Sequence, residues 1–140
     1  MPITGSQPQL LNYKDLKKLS TLRIEEAKVL LDNNKYSGSY YLAGYSIELA
    51  LKALWSKNVP AKSFVPNKKI YNKLYTHNLN DLLLVSGIRD KFLPNINWSV
   101  AKDWSAETRY QIVSEDDAKA LYDAITEPKN GVLTIIKRLW

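Results

Sequence analysis

The chain contains no cysteine and only one histidine among its 140 residues. Without thiols there is no disulfide framework, no thiolate metal site and no cysteine nucleophile. A metal site would have to rest almost wholly on carboxylates, so no metal and no other cofactor is expected. Glycine occurs five times and the five are scattered, which excludes a glycine-rich phosphate loop. No apolar run approaches the ~18 residues of a membrane span. The first residues, MPITGSQPQLLNYKDLKK, lack the basic start and apolar stretch of a secretory signal. The expectation is therefore a soluble cytoplasmic protein with no membrane role. One further absence is local: no acid lies between Glu48 and Asp81, where Lys52, Lys57, Lys62, Lys68, Lys69 and Lys73 fall. Those six lysines account for the whole net charge of +6. With Phe64, Tyr71 and Tyr75 interleaved, this segment can attract polyanions by Coulomb attraction and counterion release. The plainer reading is a solvated loop.

What is present suffices for one core: 45% of residues are hydrophobic, and the length suits one domain. Residues 1–9, with Pro2, Gly5 and Pro8, are expected to form a disordered tail, and residues 10–140 a single helical domain. From Asn12 to Asn33, Leu16, Ser20, Ile24, Ala27 and Leu31 recur at helical spacing. A second helix is expected from Ser37 to Lys57, with Pro60 and Pro66 bounding a loop beyond it. Asn78 and Asp81 mark a short helix ending near Ser86 and Gly87, and residues 89–113 read as mostly irregular with short helical pieces. Ser114 and Asp117 form a capping-box-like start for a helix reaching Thr126. Past Pro128, VLTIIKRLW is either a separate helix or the continuation of a kinked one. No segment alternates like a strand, so the fold class is all-α, a four- to five-helix up-and-down bundle.

The second helix is apolar around too much of its circumference to bury only one stripe, so it belongs at the centre. One of its faces carries Tyr41, Tyr45, Glu48, Lys52 and Trp55, aromatic at both ends and charged in the middle. Glu48 and Lys52 are in the favourable order for an intrahelical pair. They either satisfy each other at a bundle or dimer seam, or line a groove in which Lys52 meets phosphate and the aromatics stack on a base. His77 sits before a helix N-terminus, where it either hydrogen-bonds locally or serves an anion as ligand or acid–base group. Arg109, beside Tyr110, has Glu107 near enough for a local ion pair. Glu115, Asp116 and Asp117 follow Ser114 and read as helix capping, not as a metal cluster. Trp98 and Trp104 read as core or interface residues.

YYLAGYSIELALKALW, then THNLNDLL, ETRY, SEDDAKALYDAI and GVLTIIKRLW together resemble the HEPN domain, named for its occurrence in higher eukaryotes and prokaryotes and for suggested nucleotide binding. The likeness runs from about residue 12 onward. It implies a helical bundle that is usually a homodimer. Such proteins bind nucleotide or RNA, or accompany a minimal nucleotidyltransferase protein in toxin–antitoxin or defence systems. Many members of the wider group are metal-independent RNases with an Arg followed, after four to six residues, by a His. Here the positions for that Arg hold Ile70, Tyr71 and Asn72, and His77 matches instead the family's Thr-His-x-Leu helix start. Arg109 and Tyr110 resemble the family's Arg-Tyr pair. The resemblance therefore implies a non-catalytic binding module using Tyr45, Glu48, Lys52, His77, Arg109 and Tyr110. An RNase toxin with a non-standard site at His77 and Arg109, and a purely structural dimerisation protein, are the alternatives.

Overall fold

A computed structural model of the chain describes residues 12–57, 76–92 and 94–140. Among these residues there are six α-helices and no strand, so the chain is all-α. We number them α1 (Tyr13–Asp32), α2 (Tyr36–Lys57), α3 (Leu79–Ser86), α4 (Ile96–Ala101), α5 (Glu115–Thr126) and α6 (Val132–Arg138). Short 3-10 turns at Arg89–Lys91 and Ala106–Tyr110 interrupt the stretch expected to be irregular. The tail at residues 1–9 and the loop holding Lys62, Lys68, Lys69 and Lys73 lie outside the described residues.

The helix ends follow local chemistry. Asn12, Asn78, Asn95 and Ser114 each accept a hydrogen bond from the backbone N–H three residues on, which satisfies one otherwise orphaned donor per helix. α1 stops through Asn34, in the left-handed region at φ 62°, with the Lys35 N–H returning to the Leu30 carbonyl. Gly38, two residues into α2, plays no part in that stop. Beyond Pro128 the chain turns and begins α6 afresh, because the Glu127 carboxylate accepts from the Lys129 and Asn130 N–H groups. The last helix is thus separate and not a kinked continuation.

The Ser20 hydroxyl donates to the Ser46 carbonyl at 2.7 Å, and the Ser39 hydroxyl to the Ala27 carbonyl at 2.8 Å. As one residue number rises the other falls, so α1 and α2 lie antiparallel. α2 also packs against α3, α5, α6 and the Ala106–Tyr110 turn, which makes it the central helix. Ile47, Leu49, Leu51 and Leu54 are buried along it; each contributes about 1.5–3 kcal/mol of hydrophobic stabilisation. Gly44 admits the closest approach: a Cβ there would fall 2.2 Å from the Trp104 ring. Glycine is needed at this position for space, and Trp104, buried at 2% exposure, fills it.

Candidate functional site

Glu48 is the feature that distinguishes α2 from an ordinary core helix. Its position in the helix turns the carboxylate inward, and the residue is 1% exposed. A carboxylate so placed needs charged or hydrogen-bonding partners, since desolvation of an unpaired charge would be prohibitive. It has two. Lys52, one turn on, donates to Oε2 at 3.2 Å, and His77 places Nδ1 2.8 Å from Oε1. The lysine therefore spends its charge on Glu48 and is only 15% exposed at its side chain, whereas the His77 side chain is 58% exposed.

The His77 contact corrects the expectation that this histidine bonds only within its own turn. Its partner is on another helix, and the imidazole ties the start of α3 to the centre of α2. With Nδ1 as the donor to the carboxylate, Nε2 is the ring nitrogen left for other partners. Thr76 and Asn78 hold the backbone there: the Asn78 N–H donates to the Thr76 hydroxyl, and the Asn78 side chain caps α3 at the Asp81 N–H.

Above this array on the same face, Tyr45 stacks on Tyr41 with ring centroids 6.1 Å apart, and Tyr41 lies 5.9 Å from Trp104. Burial first, and then the Glu48 carboxylate, push the Tyr45 hydroxyl above its ordinary value, so it is a neutral phenol at physiological pH. Arg109, on the 3-10 turn after Trp104, lies 5.1 Å from the Tyr110 ring centroid. Tyr110 first, and then a hydrogen bond with Tyr41, raise its guanidinium further above an already high value. The expected ion pair with Glu107 does not form: among the described residues Arg109 meets tyrosines, not an acid. Tyr110 itself is 79% exposed.

The structure therefore brings Glu48, Lys52 and His77 into direct contact and places Tyr45 beside them. Arg109 lies against Tyr110 and its charge is influenced by Tyr41, which sequence reasoning puts on the face but not in the site. Its place one turn before Tyr45 on the same stripe is the available signal. Among the described residues no group of three His, Asp or Glu side chains could hold a metal, and the Glu115–Asp117 run opens α5 as a cap. No helix among them is long and apolar enough to cross a membrane. The family model of the HEPN domain matches residues 13–127, which contain every residue of this face. No curated protein and no solved structure is significantly similar to the chain.

Proposed function

Because the chain belongs to the HEPN domain family, we propose that it is a non-catalytic module that binds nucleotide or RNA through Tyr45, His77, Arg109 and Tyr110, with Glu48 and Lys52 holding His77 in place. The observation that carries this reading is the buried Glu48 carboxylate with an exposed imidazole fixed upon it. A buried acid neutralised by Lys52 has no evident use in packing that an apolar side chain would not serve better. Its effect here is to orient His77 at the start of α3, where backbone N–H groups also favour an anion. Arg109, held by tyrosines, keeps its charge available for phosphate, and the exposed Tyr110 ring offers a base a stacking surface. Lys52 serves as the neutralising partner and not as a phosphate ligand. The absence of the Arg-x4-6-His arrangement at His77 supports binding without cleavage.

The test is a titration with ATP, GTP and a short single-stranded RNA at low and high salt, with cleavage followed in the same tubes. Salt-sensitive binding without cleavage is expected, weakened roughly tenfold, or about 1.4 kcal/mol, by Arg109→Ala, and also by His77→Ala. Failure of all three ligands to bind at low salt, or indifference to both substitutions, removes the reading. One observation favours a second: a histidine with Nδ1 on a carboxylate and Nε2 outward has the orientation of a general acid or base. RNA cleavage that disappears in His77→Ala would replace the binding module with a metal-independent RNase.

A further inference from the structure

A second cationic cluster lies where α1 begins and α2 and α6 end. Lys17 on α1 donates to the Tyr13 hydroxyl at 3.3 Å, and its ammonium is 4.5 Å from the Tyr13 ring centroid and 5.4 Å from that of Trp140. Lys137, in the last turn of α6, approaches the same indole to 5.9 Å. Lys57, the last residue of α2, reaches over to donate to the Leu139 carbonyl at 2.9 Å. Three helices thus deliver three ammonium groups to one corner floored by two aromatic rings.

What sets these lysines apart is how their charge is used. Where other described lysines are held in place, acids consume their charge: Lys28 pairs with Asp32, Lys52 with Glu48 and Lys119 with Glu115. Among the described residues Lys17, Lys57 and Lys137 form no ion pair, and Glu25, which lines a groove with Lys137, does not reach it. Their contacts are ring faces, a phenol oxygen and a carbonyl. Such contacts fix an ammonium in place without neutralising it. Gathering like charges is unfavourable unless an anion joins them. Because they share one indole, the Lys17 and Lys137 nitrogens lie no more than about 11 Å apart. A separation within that limit lets neighbouring anionic groups of one ligand meet both ammonium groups, with Lys57 offering a third.

We infer that this corner binds a run of linked phosphates through Lys17, Lys57 and Lys137, supplied either by the polyphosphate tail of a nucleotide or by the backbone of a single-stranded nucleic acid. The site uses none of the cations of the Glu48 face and does not rest on the function proposed for it. The ring faces of Tyr13 and Trp140 hold the Lys17 ammonium ready, so little ordering is required when the anion arrives.

The full chain is titrated with inorganic tripolyphosphate, ATP and a short single-stranded RNA across a salt series. Lys17→Gln/Lys137→Gln, Lys57→Gln and His77→Ala/Arg109→Gln are measured beside it. Affinity for phosphate probes is expected to fall about tenfold or more in the double lysine variant at low salt. For RNA, the slope of log affinity against log salt becomes shallower by about 0.7 for each lysine lost, a change that a purely structural lysine would not produce. Lys57→Gln guards against misfolding, since Lys57 is exposed and its partner is only a carbonyl. Tripolyphosphate and ATP binding alike identifies the polyphosphate as the source, and binding of RNA alone identifies the backbone. If no probe binds at low salt, or if both lysine variants match the parent in affinity and slope, the inference is overturned. Nucleotide binding unaffected by His77→Ala/Arg109→Gln but lost in the lysine variants would overturn the function proposed for the Glu48 face and leave this one standing.

Discussion

Glu48–Lys52 on α2 and Glu115–Lys119 on α5 are written alike, an acid followed one helical turn later by lysine. Each makes its ion pair, at 3.2 Å and 2.7 Å respectively. Their surroundings differ completely. The side chains of the first pair are 1% and 15% exposed for Glu48 and Lys52; those of the second are 49% and 56% for Glu115 and Lys119. Glu115 opens its helix, where an acid suits the positive end of the dipole, and Lys119 adds a screened surface contact. Glu48 sits in mid-helix, walled by neighbouring elements, and recruits a third residue, His77, from another helix. The shorter contact belongs to the weaker pair. Spacing along a helix dictates that an ion pair forms, while burial decides what it is worth and what else it must organise.

The comparison breaks most sharply at Lys52. Lys52→Met keeps most of the stem but leaves a buried carboxylate with His77 as its one remaining polar partner among the described residues. A loss of about 3 kcal/mol is expected, the lower end of the range for an orphaned buried charge, read as a lower urea midpoint at unchanged slope. Glu48→Gln is expected to cost less, about 1–2 kcal/mol, because Lys52 and above all His77 can turn to water once the acid is gone. Equal costs for the two variants would show that the carboxylate is not the buried member of the array. The double variant Glu48→Met/Lys52→Met removes both charges and restores apolar packing. It should lie within about 1 kcal/mol of the parent, so that the cycle closed with the single variants Glu48→Met and Lys52→Met yields a favourable coupling between the two side chains. Simple addition of the two single losses would refute that coupling. In the variants that change Glu48, binding through His77 should weaken, because the imidazole loses the buried charge that orients it.

Local signals are legible in the amino-acid sequence itself. Asn78 with Asp81, and Ser114 with Asp117, mark the starts of α3 and α5, because a cap is chemistry among residues three apart. The multi-sided apolar wall of α2 marks its central place. Long-range partners are not legible in this way. Nothing in Gly44 announces that Trp104 presses on its Cα; by local propensity a mid-helix glycine is only a weak point. Nothing near His77 selects Glu48 over solvent, and Glu107 is the plausible partner of Arg109 by spacing, although the fold puts Tyr41 there. The stop of α1, by contrast, is local: it falls to Asn34, a residue whose short amide tolerates φ > 0. The Lys17–Trp140 corner joins residues from opposite ends of the described chain and has no local signature at all.

The smallest effect expected belongs to Glu115, and it sharpens the comparison through pH and salt. A hydrogen bond from Lys119, and then the charge of that lysine, hold the Glu115 carboxyl below its ordinary value. A carboxyl depressed in the folded state contributes stability that is fully present above its unfolded pKa of about 4.3. That contribution is lost as pH falls through the folded-state value. Glu115→Gln should therefore lower the thermal midpoint slightly at neutral pH and low salt, and should approach the parent as pH falls below the folded-state value, where both side chains are uncharged. At 1 M salt, where the screening length is about 3 Å, the difference should shrink toward nothing, since both partners are in water. The loss in Lys52→Met should persist at that salt concentration, because ions do not reach a carboxylate that is 1% exposed. Thermal melts of the two variants at low and high salt separate the cases. A Glu115→Gln deficit that survives 1 M salt, or a Lys52→Met deficit that vanishes in it, would mean that the two pairs differ in sequence position only and not in kind.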